Sequence, residues 1–182
     1  MRQQGRTDGE NAFRREALAH ADALYNLARY LTRSPEETED LVQETYARAL
    51  RGAAGFRPGT NMKAWLMAIL RNLFLSQRRG AGRARAGEAL VREEEAPADD
   101  AYLRGDLELE RLRRLVSEEI EAALTSLSEE ARTVILLDLE DLTEAEVAQV
   151  VGCAVGTVKS RLARARSELR RQLGQYARMN AR

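Results

Sequence analysis

The sequence predicts an all-α protein made of two small helical domains joined by a flexible acidic linker. Three observations predict it. Apolar residues recur at three- and four-residue spacing in two separate blocks. Helix-start signals open an element in each block, Ser34-Pro35-Glu36-Glu37 in the first and Thr143-Glu144-Ala145-Glu146 in the second. Between the blocks, residues 80–106 are rich in Gly, Ala, Arg and Glu, with too little apolar surface to offset the entropy of ordering them. The expected boundaries are a flexible amino-terminal segment over 1–12, a first body over 13–79, the linker over 80–106, a second body over 107–176 and a tail over 177–182.

In the first body, Leu24, Leu27, Ala28 and Leu31 mark an amphipathic helix. Ser34 can cap the next helix, Pro35 suits its first position and Glu37 completes a capping box. That helix offers Leu41, Val42, Thr45, Tyr46 and Ala49 to a core. Residues 52–61 break the pattern with three glycines and Pro58, which reads as a loop. A third helix, about Met62 to Arg79, carries Trp65, Leu66, Ile69, Leu70, Leu73 and Phe74 around more than one stripe and so belongs at the centre. The second body opens with a helix presenting Leu112, Leu115, Val116, Ile120, Ala123 and Leu124. Ser128 precedes another, with Ala131, Val134, Ile135, Leu137 and Leu139. A short helix follows with Val147, Ala148 and Val151, then Gly152, suited to a positive φ. A long basic helix then places Val158, Leu162, Ala165, Leu169 and Leu173 on one face. Short helix, glycine turn and long basic helix make a helix-turn-helix.

Composition closes several doors. The 182 residues hold one Cys and one His, so Cys153 cannot form an internal disulfide, and with His20 it cannot supply a four-ligand zinc site. No apolar run approaches the ~20 residues of a membrane span. Met1 to Glu10 is polar and lacks a signal-peptide stretch, so the expected location is the cytoplasm. No cofactor, metal, membrane insertion or small-molecule substrate is expected.

The 29 basic and 29 acidic residues cancel overall but not locally. Residues 61–85 hold six bases and no acid, and 88–110 hold nine acids against two bases. Residues 117–146 hold ten acids against Arg132, and 153–182 eight bases against Glu168. Two basic blocks separated by acidic ones fit two anion-binding surfaces on separate bodies. They equally fit solvated helix faces that balance one another.

Spacing sharpens the choice at the second basic block. Taking Val158 as zero on a helix of 100° per residue, Thr157, Ser160, Arg161 and Arg164 fall between about 200° and 300°. Side chains that bond to base edges therefore leave the first turns of this helix, where a recognition helix enters the major groove. Arg166, Arg170 and Arg171 are better placed for phosphates. Trp65, Arg71 and Asn72 could meet single-stranded bases, although a lone Trp among leucines also reads as core. Phe56 stands in a loop with less core to join. Asp40, Gln43 and Glu44 share a helix face that reads as solvated. No nucleophile, metal ligand or phosphate loop accompanies those carboxylates, so no enzyme is expected.

Longer runs are similar to a known family. Asp40-Leu41-Val42-Gln43-Glu44-Thr45, Phe56-Arg57-Pro58-Gly59-Thr60-Asn61-Met62-Lys63-Ala64-Trp65-Leu66 and Ile69-Leu70-Arg71-Asn72 resemble sigma domain 2 of bacterial extracytoplasmic-function (ECF) RNA polymerase sigma factors, group 4 of the sigma-70 family. Leu142 to Ala148, then Gly152 to Arg161 with Ala165 and Arg166, resemble their sigma domain 4. The resemblance implies a dissociable promoter-specificity subunit without catalytic activity, whose partners are core RNA polymerase (its largest and second-largest subunits), promoter DNA and an anti-sigma factor. It implies core-polymerase binding by Asp40, Gln43 and Glu44. Binding and melting of the −10 element fall to Phe56, Asn61, Lys63, Trp65, Arg71 and Asn72. Binding of the −35 element falls to Thr157, Lys159, Ser160, Arg161, Arg164 and Arg166. The acidic linker would thread toward the polymerase channels. Many relatives carry Pro where Ala154 stands and several a larger residue where Ala163 stands. A different class, a stand-alone helix-turn-helix regulator of duplex DNA, gives no role to the Asp40 face, the Phe56 loop or the linker.

Overall fold

The computed structural model describes residues 2–32, 34–84 and 107–180. They form α1 (Arg2–Leu18), α2 (Ala21–Thr32), α3 (Pro35–Arg51), a 3-10 turn (Ala53–Gly55), α4 (Met62–Ala84), α5 (Leu107–Ser126), α6 (Glu129–Leu139), α7 (Glu144–Val151) and α8 (Val155–Asn180). All described regular structure is helical. The linker expectation falls largely on residues 85–106, outside the described residues.

Helices α2, α3 and α4 pack together around Leu24, Leu27, Leu41, Leu66, Met67 and Leu70, all essentially buried. Two threonines in this core keep their hydroxyls satisfied: Thr38 and Thr45 donate to the carbonyls of Ser34 and Leu41, each at 2.7 Å. The start of α3 is the predicted one, with Ser34 Oγ accepting from the Glu37 amide at 3.5 Å and Pro35 in the first turn. Helices α6, α7 and α8 enclose Val134, Leu137, Val147, Val158 and Leu162. Arg132, buried on α6, donates through Nε to the Leu124 carbonyl (2.8 Å) and through Nη2 to the Leu127 carbonyl (3.0 Å), closing groups that the end of α5 leaves unpaired. Its Nη1 also reaches the Tyr30 carbonyl on α2 at 3.4 Å.

Several elements differ from expectation. The amino-terminal segment, expected to be flexible, is helical from Arg2, because Ala17 is anchored in the core and a nucleated helix extends backward cheaply. Helix α4 continues past Arg79 to Ala84, and α8 reaches Asn180 into the expected tail. On α5, Ala123 and Leu124 are buried but Val116 and Ile120 are exposed. The apolar stripe there is wider than the surface available to cover it.

The two bodies are in contact. Helix α4 lies along α7, and α2 meets α6.

Candidate nucleic-acid and polymerase interface

Helix α3 carries Asp40 and Gln43 exposed to solvent. Glu44, on the same face, is committed to neighbours: its carboxylate accepts from Arg48 Nε and Arg51 Nη2, both at 3.0 Å. The bond from Arg48 leads in holding its carboxyl below the ordinary range. Asp40 also lines a groove of about 790 Å³ between the bodies, with Glu37, Gln77 and Arg78.

The loop before α4 is more structured than its glycines suggest. Gly59 takes φ 85°, and Thr60 folds back to bond the Arg57 carbonyl at 2.7 Å. Phe56, expected to lack a core, has one. Its ring centroid lies 5.9 Å from Phe13 of α1 and 5.3 Å from Trp65 of α4, and Phe13 and Trp65 meet edge-on at 6.0 Å. These three half-buried rings tie the loop to two helices. The Trp65 alternatives thus meet halfway, since its ring packs on others yet lines a cleft of about 550 Å³ with Arg57, Asn61, Glu146 and Gln149.

Asn61 does two jobs. Its Oδ1 accepts from the Ala64 amide at 3.2 Å, capping α4, and its Nδ2 donates to Glu146 of α7 at 2.9 Å. The capping role was legible as an Asn directly before an apolar run. Lys63 donates to the backbone carbonyl of Glu140, and its Nζ is 3.5 Å from the Glu140 carboxylate. Arg71, half-buried, brings Nη1 within 3.5 Å of the Val150 carbonyl. Burial is the main influence lowering its pKa. Arg78 pairs with Glu129. Asn72 is exposed. Sequence reasoning did not identify Glu129, Glu140 and Glu146 as partners; the only sign of them was the acidic block facing the basic one in the charge count.

In the second body, α7 opens with a complete capping box. Thr143 Oγ1 accepts from the Glu146 amide at 3.3 Å, and the Glu146 carboxylate accepts from the Thr143 amide at 2.8 Å. Bonds from Thr143, above all its hydroxyl, hold the Glu146 carboxyl below its ordinary value, with a smaller pull from Asn61. Gly152 ends the helix in the left-handed region at φ 67°, and α8 begins three residues on. Val158, Leu162 and Ala165 are buried, as the wheel requires. Ser160 and Arg164 are exposed and bond back within the helix, while Thr157 and Arg161 are half-buried. Lys159 lies 3.5 Å from Glu144. Arg166 is gripped by both oxygens of Asp138, at 2.9 and 2.7 Å. Arg171 pairs with Glu168, whose carboxyl it holds, together with Gln172, down to about 2. Among the described residues, no group of three or more His, Cys, Asp or Glu could hold a metal ion, and no helix is long and apolar enough to cross a membrane.

A helix-turn-helix and a basic, aromatic-containing helix on two bodies of one chain define a DNA-binding protein with two separate contact surfaces. Comparison makes the class specific. The Sigma-70 region 2 family matches residues 17–84, and the Sigma-70 region 4 family matches 117–169. The chain is 38% identical over 160 residues to ECF RNA polymerase sigma factor SigE of Mycolicibacterium smegmatis, covering 87% of this chain and 60% of that protein. It is 37% identical over 161 residues to ECF RNA polymerase sigma factor EcfG of Rhodopseudomonas palustris, covering 87% of this chain and 83% of that protein. The fold is similar to the sigma factor RpoE in complex with the anti-sigma factor NepR from Bartonella quintana, with TM-score 0.70, 35% identity and coverage of 90% of this chain and 97% of that one. It is also similar to CnrH in complex with the cytosolic domain of CnrY, with TM-score 0.61, 26% identity and coverage of 91% and 89%. The chain belongs to the ECF family of RNA polymerase sigma factors.

Proposed function

We propose that this chain is a non-catalytic specificity subunit that binds core RNA polymerase, recognises the −10 and −35 elements of its promoters and starts transcription in the cytoplasm under the control of an anti-sigma factor. The observation that carries the reading is the order of the two regions on one chain, each with its own surface. Asp40, Gln43 and Glu44 on α3 serve core polymerase. Phe56, Asn61, Lys63, Trp65, Arg71 and Asn72 serve the −10 element, and the exposed first turns of α8 serve the −35 element. Polar side chains there, Ser160 and Arg164 foremost, can donate to base edges. Control by an anti-sigma factor is supported by the likeness to RpoE and CnrH, each solved with such a partner or its cytosolic domain. A stand-alone regulator is disfavoured because it leaves the region 2 body without a task. The test is gel filtration with purified core polymerase. The wild type should elute with the enzyme, and a folded Asp40→Arg/Glu44→Arg variant should elute apart. A wild type that ignores polymerase would refute the proposal.

A further inference from the structure

Asn61, Lys63 and Arg71, three of the residues read above as −10 contacts, each spend a polar group on the second body. Asn61 bonds the Glu146 carboxylate, Lys63 bonds the Glu140 carbonyl beside its carboxylate, and Arg71 reaches the Val150 carbonyl. A fourth cation on the same helix, Arg78, pairs with Glu129. The cleft between the 56–61 loop and α4 is roofed by Glu146, Gln149 and Val150 of α7. A nucleic-acid strand lying on α4 would need the same donors and the same cleft. The partners offered to α4 are chemically like a strand: carboxylate and carbonyl oxygens, set in a stretch with ten acids against one base.

We infer that the acidic side of the second body, Glu129, Glu140 and the Glu146 end of α7, is a built-in competitor for the −10 surface, so that the free chain masks its own melting helix until the bodies are drawn apart. The inference rests on the −10 reading of α4. Its ion pairs lie at least partly in solvent, so each is weak and screened by salt, which makes the closed form reversible. If the strand binds only the open form, its apparent affinity falls in proportion to the open fraction. Contact of α2 with α6, including the Arg132 bond to Tyr30, adds a hinge side that carries no −10 residue.

The test uses the full chain without polymerase and reads closure and DNA binding separately. The single tryptophan, Trp65, lines the roofed cleft and reports closure through acrylamide quenching, alongside small-angle scattering. Glu129→Lys/Glu140→Lys should raise quenching and expand the particle. It should also bind a fluorescein-labelled, mixed-sequence single-stranded oligonucleotide about tenfold more tightly than the wild type. Glu118→Lys/Glu119→Lys makes the same charge change on α5 away from the contact and should do neither beyond a small electrostatic gain. Adding Lys63→Glu to Glu140→Lys should restore closure. Unchanged quenching and scattering in the first variant would overturn the closed contact. An expanded variant with wild-type oligonucleotide affinity would overturn the masking, and if its promoter opening with polymerase still depended on Asn72, the −10 reading would survive that loss.

Discussion

Gly152 holds φ 67° with open space where a Cβ would stand. Gly152→Ala should therefore cost about 1 kcal/mol from backbone conformation alone, read by urea unfolding. Arg132 is a more expensive position. Arg132→Ala strands the buried carbonyls of Leu124 and Leu127, and the expected loss is about 3 kcal/mol. Arg132→Lys should recover little, because a point charge cannot serve several carbonyls arranged for a planar fork. Glu146 gives a pH dependence whose sign is fixed. Its folded-state carboxyl is held below the ordinary value of 4.5, chiefly by Thr143. Its contribution is fully present above that value and is lost as pH falls through the lowered one. A carbon-detected NMR titration of the full chain should place the Glu146 carboxyl below the exposed glutamates, and Asn61→Ala should move it upward. No upward movement would remove the cross-body bond from the account.

At the scale of elements, helix starts and the helix-turn-helix were legible because each is written in adjacent residues. Ser34-Pro35 and Thr143 to Glu146 open α3 and α7 where the sequence places them, and Gly152 turns the chain as read. The wheel placed Val158, Leu162 and Ala165 correctly because one helical period decides it. Periodicity could not place Val116 and Ile120, since spacing marks a stripe but not whether another element covers it. Nor could it find the Phe56 core, which depends on Phe13, distant along the chain. Within α8 the arginines separate by partner. Arg164 is exposed with its guanidinium free to leave the helix, whereas Arg166 is held by Asp138 and Arg171 by Glu168. Arg164→Ala should flatten the preference among −35 variants, as loss of a base contact carrying about 1–3 kcal/mol of discrimination. Arg166→Ala should instead weaken all promoters alike and lower the salt slope, or change nothing. Competition between matched and single-base-changed promoters at two salt concentrations, with holoenzyme, separates these outcomes.

Over the whole molecule, the charge pattern acquires a second meaning. The zero net charge conceals basic and acidic blocks that meet across the bodies, through pairs far apart in the chain. Both readings of that pattern therefore hold: the blocks balance each other in the closed form, and the basic ones are the surfaces proposed for DNA. Which pairs form could not be read from the sequence, because the register of one body on the other is set by packing. The central claim is that this single chain, with polymerase, selects promoters through two surfaces. Run-off transcription from a genomic library with core polymerase, followed by mapping of the 5′ ends, tests it most directly. The account predicts discrete starts preceded by a common pair of −10 and −35 motifs at one spacing. Asn72→Ala should lower permanganate-detected opening at those starts, with partial rescue on premelted templates. Starts that are scattered, or that share a −35-like motif alone and are indifferent to Asn72, would contradict it.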